Sequence, residues 1–385
     1  MNKLIQICLA VVIGLFSPPI GWVVGILPSY LWGKQRKDKA ALIYICGFIG
    51  ALFAGVAYSS RRKFLGSDDF SQYFDNFLEA LSSHAPSFSY AGGAEVGLPL
   101  INYFLGLIFG KLSPWHLMFL HQAIFFGLLI WVLSRTKIDG VSKSLLVAFV
   151  LVTLPYALST QLIRQCYSSL FLFLALSDSE IKVSRKWAAF TLAFLFQISA
   201  LPIFIFFYAA KKLKGYWFIA FNMVTVILEI KFREIAEIAL AAESFIGQDK
   251  FQYYASSEEG WVKPDLVPLE MYSLILLLVL FVKLYKKTWA LDGDEKILFT
   301  AFTFSLAAMP VPLLGLRVCL MVYLFMGVYI VKVASSINKM AVRVIFLLFL
   351  IFQLKIMFLS PVGSVFELWR EYPSFSIFPG YFLLN

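Results

Sequence analysis

The stretch KSLLVAFVLVTLPYALSTQLIRQCYSSLFLFLALSD, residues 143–178, holds a single charged residue, Arg164, between Lys143 and Asp178. A second stretch of the same kind, ILFTAFTFSLAAMPVPLLGLRVCLMVYLFMGVYIV at 297–331, holds only Arg317. Each is longer than one helical span needs, so each reads as two spans joined by a turn. The turns fall where proline cannot continue the helix ladder, from Pro155 to Arg164 in the first and around Pro310 and Pro312 in the second. A guanidinium is permanently charged and costly in hydrocarbon, so two such arginines point to a wet, functional cavity.

Composition places the whole chain in the same class. Hydrophobic residues make up 60% of the 385 positions and charged residues 15%, and the mean hydropathy is +0.80. Apolar runs separated by short basic groups predict an all-α fold, a polytopic transmembrane bundle of about 11 to 14 helices forming one integral membrane domain over 1–385. The net charge of +10 does not indicate nucleic acid, because the basic residues lie between apolar runs and not along one face. Cys8, Cys46, Cys166 and Cys319 are scattered without metal-ligand spacing, which suggests neither a disulfide framework nor a metal site. The first apolar stretch lacks a small-residue cleavage site and reads as a membrane anchor.

Six basic groups set the expected topology: Lys34 to Lys39, Arg135 to Lys143, Lys182 to Lys186, Lys211 to Lys214, Lys283 to Lys296, and Lys332 to Arg343. Placing all six in the cytoplasm sends both arginine-bearing hairpins outward and back. It leaves two outer segments, 61–114 and 231–270, the second with a net charge of −4. Residues 187–210 then start and end inside, either as two half-spans meeting near Gln197, Ser199 and Pro202 or as one span that violates the charge rule. Residues 98–112 are short and read as re-entrant or interfacial. Residues 4–32, interrupted at Ser17, Pro18 and Pro19, form one kinked span or a tight hairpin.

In the first outer segment, Phe70, Tyr73, Phe74, Phe77, Leu78 and Leu81 recur at helical spacing, with Ser71, Gln72, Asp75, Asn76 and Glu79 opposite. This predicts an amphipathic helix that rests on the outer leaflet or covers a cavity. Ser67 suits its cap, and Asp68 and Asp69 its first turn. The Ser-, Gly- and Ala-rich stretch 82–97 reads as a mobile loop carrying His84 and Glu95. His84 and His121 read as structural or interfacial.

Arg61, Arg62, Gly66, Ser67, Asp68, Asp69, Phe70, Tyr73, Glu95 and Gly97, then Leu162, Ile163, Arg164 and Gln165, then Leu316, Arg317, Tyr323 and Phe325 form an ordered set. This set resembles the outer-loop and hairpin pattern of the EpsG family, polymerases of the Wzy type for bacterial exopolysaccharide and O-antigen. Two positions depart from it. The family often has Phe-His-x-Ser-Ala where this chain has Phe196, Gln197, Ile198, Ser199 and Ala200, and its Asp-Tyr pair falls on Asp69 and Phe70.

The resemblance implies a GT-C-like bundle in the bacterial plasma (inner) membrane that transfers an undecaprenyl-diphosphate-linked glycan onto a lipid-linked oligosaccharide repeat unit. On that reading Arg164 and Arg317 clamp the donor diphosphate, since arginine bonds phosphate oxygens in pairs, and Arg61 and Arg62 assist at a lipid headgroup. Asp69, or alternatively Glu95, deprotonates the acceptor hydroxyl. Gln165 and Gln197 orient substrate, because glutamine cannot act as a base near neutral pH. Tyr73, Trp115, Tyr253, Tyr254 and Trp261 stack on sugars or belong to an interfacial aromatic belt. No cofactor is expected. The expected partners are membrane lipids and a flippase and chain-length regulator of the same pathway. Two alternatives remain at this stage: a transporter or flippase of lipid-linked or anionic glycans, and a GT-C glycosyltransferase using a polyprenyl-phosphate sugar. A transporter would favour two similar halves, and no internal repeat is evident.

Overall fold

A computed structural model describes residues 3–31, 40–59, 69–136, 141–154, 162–177, 182–231, 279–284, 290–307 and 314–359, with single positions at 138, 156, 159, 273, 276, 277 and 287. Among the described residues there are fourteen longer α-helices, a further short helical run at 279–284, one short 3-10 turn and no strand. In chain order the helices are α1 (Lys3–Phe16), α2 (Pro18–Leu31), α3 (Ala40–Ser59), α4 (Asp69–Ser83), α5 (Gly97–Phe109), α6 (Pro114–Arg135) and α7 (Lys143–Thr153). Then come α8 (Ile163–Leu176), α9 (Val183–Phe196), α10 (Ala200–Lys212), α11 (Tyr216–Ile230), α12 (Gly293–Ala307), α13 (Leu314–Ile337) and α14 (Lys339–Leu359). Both arginine-bearing stretches are thus helix pairs, α7 with α8 and α12 with α13, as the proline positions predict.

Large apolar side chains lie exposed along several helices. Examples are Phe104, Leu107 and Ile108 on α5, Trp217, Met223 and Ile227 on α11, and Leu347, Leu348 and Ile351 on α14. Pro114–Arg135 and, within α13, Leu320–Ile337 are long and apolar enough to cross a membrane. A surface of this kind suits lipid, and these are the features of a membrane protein. With 13 residues, α5 covers about 20 Å, less than a full crossing, in keeping with the short apolar stretch seen in the sequence.

The chain divides into two compact units, one of Met1–Ser87, Pro99–Cys166 and Ile330–Asn385, the other of Phe88–Leu98 and Tyr167–Tyr329. In the first unit, α1 and α2 form the tight hairpin. The chain turns at Ser17, and a Cβ on Gly21 would run into the backbone of Gly14. In one continuous helix these residues would sit about 10 Å apart. Next, α2 lies against α3 through glycine. A Cβ at Gly25 would come within 2.5 Å of Gly50 Cα, so two bare backbones meet there, a packing mode that small residues permit between apolar helices. Phe346 of α14 closes this unit, stacking on Tyr30 at 4.1 Å and meeting Phe149 of α7 at 5.5 Å.

In the second unit, α9 and α10 settle the ambiguity over 187–210. The helix stops at Gln197, whose backbone is extended (φ −156°, ψ 119°), and restarts at Ala200. Phe190 and Phe204 stand with ring centroids 4.4 Å apart, and Trp187 lies 6.0 Å from the same Phe204 ring. A straight helix would separate Phe190 from Phe204 by about 21 Å, so the two legs fold back on each other.

The open end of this hairpin gathers lysines. Lys186 at the base of α9 donates to Ser177 O (2.8 Å), and Lys211 at the base of α10 donates to Leu176 O (2.6 Å), so both cap the C-terminus of α8. Lys296 donates to Leu213 O. Lys283 pairs with Glu295 at 2.7 Å, and Lys211 lies 4.0 Å from Asp294. Asp292 and Glu295 form a reciprocal capping box at the start of α12, each side chain accepting from the other's backbone N–H. Three basic groups that the sequence places on one side therefore meet at one end of this unit.

The Gly25–Gly50 contact predicts that Gly25→Leu lowers the melting temperature of the purified protein, since overpacking a tight contact costs about 1–3 kcal/mol. Gly127→Ala, where the nearest neighbour is the Phe48 ring at 3.9 Å, should not lower it. Equal melting curves for Gly25→Leu and the parent would show that packing does not rest on this contact.

Candidate functional site

In the first unit the site is built on α4. Its apolar stripe turns inward, with Phe70, Tyr73, Phe77 and Ala80 buried. Phe77 and Leu81 pack over Gly106 of α5. The helix therefore lies against the bundle. The sequence reading put Asn76 on the polar face, and here the structure corrects it: Asn76 is 3% exposed. The reason is a partner on α5, since Asn102 Nδ2 donates to Asn76 Oδ1 at 2.9 Å. Asp69 is the first residue of α4 and half-buried. It stands one turn before Tyr73 on the same face of the helix.

Arg164 reaches this face from α8. Its guanidinium carbon lies 5.4 Å from the centroid of the buried Tyr73 ring, within cation–π range. The turn that presents Arg164 is held by side chains. Where α7 ends, Leu151 O accepts from Tyr156 Oη (2.7 Å), and Tyr156 Oη itself accepts from Trp22 Nε1 (2.8 Å). Gln353 of α14 donates to Leu154 O at 2.8 Å, and Gln122 of α6 donates to Ser159 O at 2.5 Å. Ser159 Oγ returns a bond to Gln122 Oε1 at 2.8 Å. In an apolar interior these carbonyls have no water to turn to, so the side chains fix the turn. Gln165, next to Arg164, is buried at 3%.

The second unit holds Glu95 and Gln197. Glu95 is only 1% exposed, and its Oε1 accepts from Ile198 N–H at 2.9 Å, at the tip of the α9–α10 hairpin. Two residues on, Gly97 faces the Phe196 ring so closely that a Cβ would lie 2.8 Å from it. The preceding turn takes its shape from Gly92 and Gly93, both in the left-handed region (φ 62° and 86°). Phe196 is also stacked on Tyr167 of α8 at 4.8 Å, and Ser168 Oγ donates to Ala193 O at 2.8 Å. Gln197 thus occupies the break itself, buried beside the Glu95 anchor.

Of the remaining sequence candidates, Arg61, Arg62, Tyr253 and Tyr254 lie outside the described residues. Arg317 is in the first turn of α13, with its side chain outside the description. Among the described residues no group of His, Cys, Asp and Glu is arranged to hold a metal. Asn102, which sequence reasoning missed, and the fully buried His121, which it set aside, are hydrogen-bonded neighbours of α4's buried face. The available signal was a lone amide within the apolar run of α5 and a histidine within the apolar run of α6.

Electrostatically, Arg164 and Arg317 share an unusual position. Lys186 and Lys211 sit where helix dipoles favour cations, at a helix C-terminus. Arg164 and Arg317 instead occupy the first turns of α8 and α13, where the dipole opposes a cation and favours an anion. An anionic ligand at such a place is attracted by both the side chain and the helix end.

The fold and these groups define a helical membrane protein with polar sites built at helix breaks and helix starts. The chain belongs to the EpsG family, whose model matches residues 42–373, a span that includes every candidate residue named above. No curated protein and no solved structure matches it. Membership connects the chain with exopolysaccharide biosynthesis.

The Glu95 anchor is testable by replacement. Glu95→Gln keeps an oxygen that accepts from Ile198 N–H and should retain the parent's thermal stability to within about 1 kcal/mol. Glu95→Leu strands that N–H and should cost about 1–3 kcal/mol, seen as a fall in melting temperature. If Glu95→Leu melts with the parent, the anchor does not hold the hairpin tip.

Proposed function

We propose that the protein is a polysaccharide polymerase of the Wzy type. In this reading it transfers an undecaprenyl-diphosphate-linked glycan onto the non-reducing end of a lipid-linked repeat unit, at the outer face of the bacterial plasma membrane. The observation that carries the reading is Arg164: a guanidinium in the first turn of α8, seated against the ring of Tyr73, with Asp69 one turn away on the same face of α4. A cation opposed by its own helix dipole suits an anionic substrate better than a structural role. Family membership supports glycan polymerisation as the process.

In the proposed reaction the acceptor hydroxyl gives its proton to the Asp69 carboxylate. Its oxygen then bonds to the anomeric carbon, and the bond from that carbon to the diphosphate oxygen breaks. The electron pair leaves with undecaprenyl diphosphate, whose growing negative charge Arg164 stabilises through paired N–H···O bonds. Arg317 is the second phosphate-binding arginine of the proposal. Glu95, engaged with Ile198 N–H, anchors the hairpin tip, and Gln197 at the break orients sugar hydroxyls. The meeting of the third, fourth and fifth basic groups at one end of the second unit supports a cytoplasmic lysine end. The helix starts bearing Arg164 and Arg317 would then face outward.

Purified protein given a defined undecaprenyl-diphosphate oligosaccharide should yield products that grow in whole repeat units. Addition of single sugars, or transport without bond formation, would sink the polymerase reading. Arg164→Ala should reduce polymerisation by roughly 100-fold or more, the scale of losing a preorganised charge-stabilising group. Arg164→Lys should restore only part, because an ammonium lacks the planar fork. In cells, Arg317→Ala should likewise leave glycan as single repeat units, and long polymer at parental levels would remove Arg317 from the mechanism. Asp69→Asn should abolish chain growth at normal protein level, whereas normal chain length would reduce Asp69 to a helix-terminal acid.

A further inference from the structure

Asn102 of α5 and His121 of α6 are both 0% exposed, and with Asn76 they form a hydrogen-bonded chain within the first unit. The direction of that chain is fixed by donor and acceptor chemistry. Asn102 Nδ2 lies 3.2 Å from Tyr73 O and 2.9 Å from Asn76 Oδ1, both acceptors, so the nitrogen side of the amide faces α4. Its oxygen faces α6, where His121 Nε2 at 2.8 Å supplies the hydrogen. Asn76, having accepted at Oδ1, donates from Nδ2 to Ser87 O at 2.7 Å. Flipping the Asn102 amide would set oxygen against two oxygens. The chain therefore runs one way, from α6 through α5 to α4 and the start of the loop that follows it.

Its contact with α4 falls at the backbone of Tyr73, the residue whose ring carries Arg164. Apolar contacts hold a helix close to its neighbour, but dispersion itself carries no direction. Hydrogen bonds in a dry interior are directional, and leaving one member unpaired is penalised. We propose that Asn102 and His121 are positioning residues for Arg164: they fix the height and rotation of α4 at Tyr73 and so the platform on which the guanidinium rests. The inference builds on the reading of Arg164 as the diphosphate-binding residue, and the test below separates the two.

The full-length protein carries Asn102→Leu, His121→Leu or His121→Gln, each alone, and Asn102→Leu is combined with Arg164→Ala. Two readouts are taken: the rate of repeat-unit addition, and the rate at which phenylglyoxal modifies Arg164, followed by mass spectrometry with the exposed Arg135 as internal control. Asn102→Leu should lower polymerisation by about 10-fold or more, because small misplacements of a catalytic group are costly. It should raise the modification rate of Arg164 several-fold while leaving Arg135 unchanged. His121→Gln keeps a donor toward Asn102 Oδ1 and should stay near the parent in both readouts, whereas His121→Leu should follow Asn102→Leu. On the Arg164→Ala background, Asn102→Leu should add no further loss, the signature of two residues acting through one contact. Independent, additive losses would overturn the positioning role.

If Arg164→Ala leaves polymerisation intact, the diphosphate reading falls, and the modification rate alone decides this inference. An Arg164 rate unchanged by both leucine variants then sinks it. Should Asn102→Leu fail to accumulate, His121→Leu and His121→Gln carry the same comparison.

Discussion

Where an apolar helix stops inside the bundle, it leaves backbone carbonyls and N–H groups that little water will reach, and at several of the described breaks this chain answers them with polar side chains. At the end of α7 the answers are Tyr156, Gln353, Gln122 and Ser159. At the α9–α10 break it is Glu95, and at the C-terminus of α8 it is Lys186 and Lys211. On the proposed function the breaks serve a polar substrate, for which uninterrupted apolar helices offer few partners. The price is a set of polar residues placed deep in the bundle, and those same residues make the breaks rigid.

Charge placement follows helix ends in two opposite ways. Lysines gather where helices finish, satisfy carbonyls and agree with the dipole, which is the behaviour of residues that hold a structure together. The two isolated arginines lie where helices begin, and for Arg164 an aromatic ring provides the seat. The contrast separates lysines that satisfy helix ends from arginines set at helix starts, and the proposed function rests on the second kind.

Much of the fold was legible because its signals are one-dimensional. Apolar run length and proline position mark α7, α8, α12 and α13, and basic groups foretell that Lys186, Lys211 and Lys296 share one end. The stripe of Phe70, Tyr73 and Phe77 marks α4. The N-terminal hairpin and the α9–α10 fold-back stayed ambiguous, because a kinked span and a hairpin have the same composition. What decides them is pairwise, Gly14 meeting Gly21 and Phe190 meeting Phe204. Candidate residues could be named from the sequence, but their contacts could not. Asn76 looked polar and therefore solvent-facing, but the amide of Asn102, 26 positions away, and the carbonyl of Ser87 give it partners inside.

The α9–α10 hairpin is also a ruler. Its legs of 14 and 13 residues leave the lysine-bearing base and reach about 20 Å, so the distance of Gln197 from that base is metered by the number of helical turns below it. Adding one residue to a leg would rotate the tip by about 100° as well as raise it by about 1.5 Å, turning Ile198 N–H away from Glu95. Change in such an element is therefore quantised: the tip can move and keep its facing only by whole turns, made in both legs together.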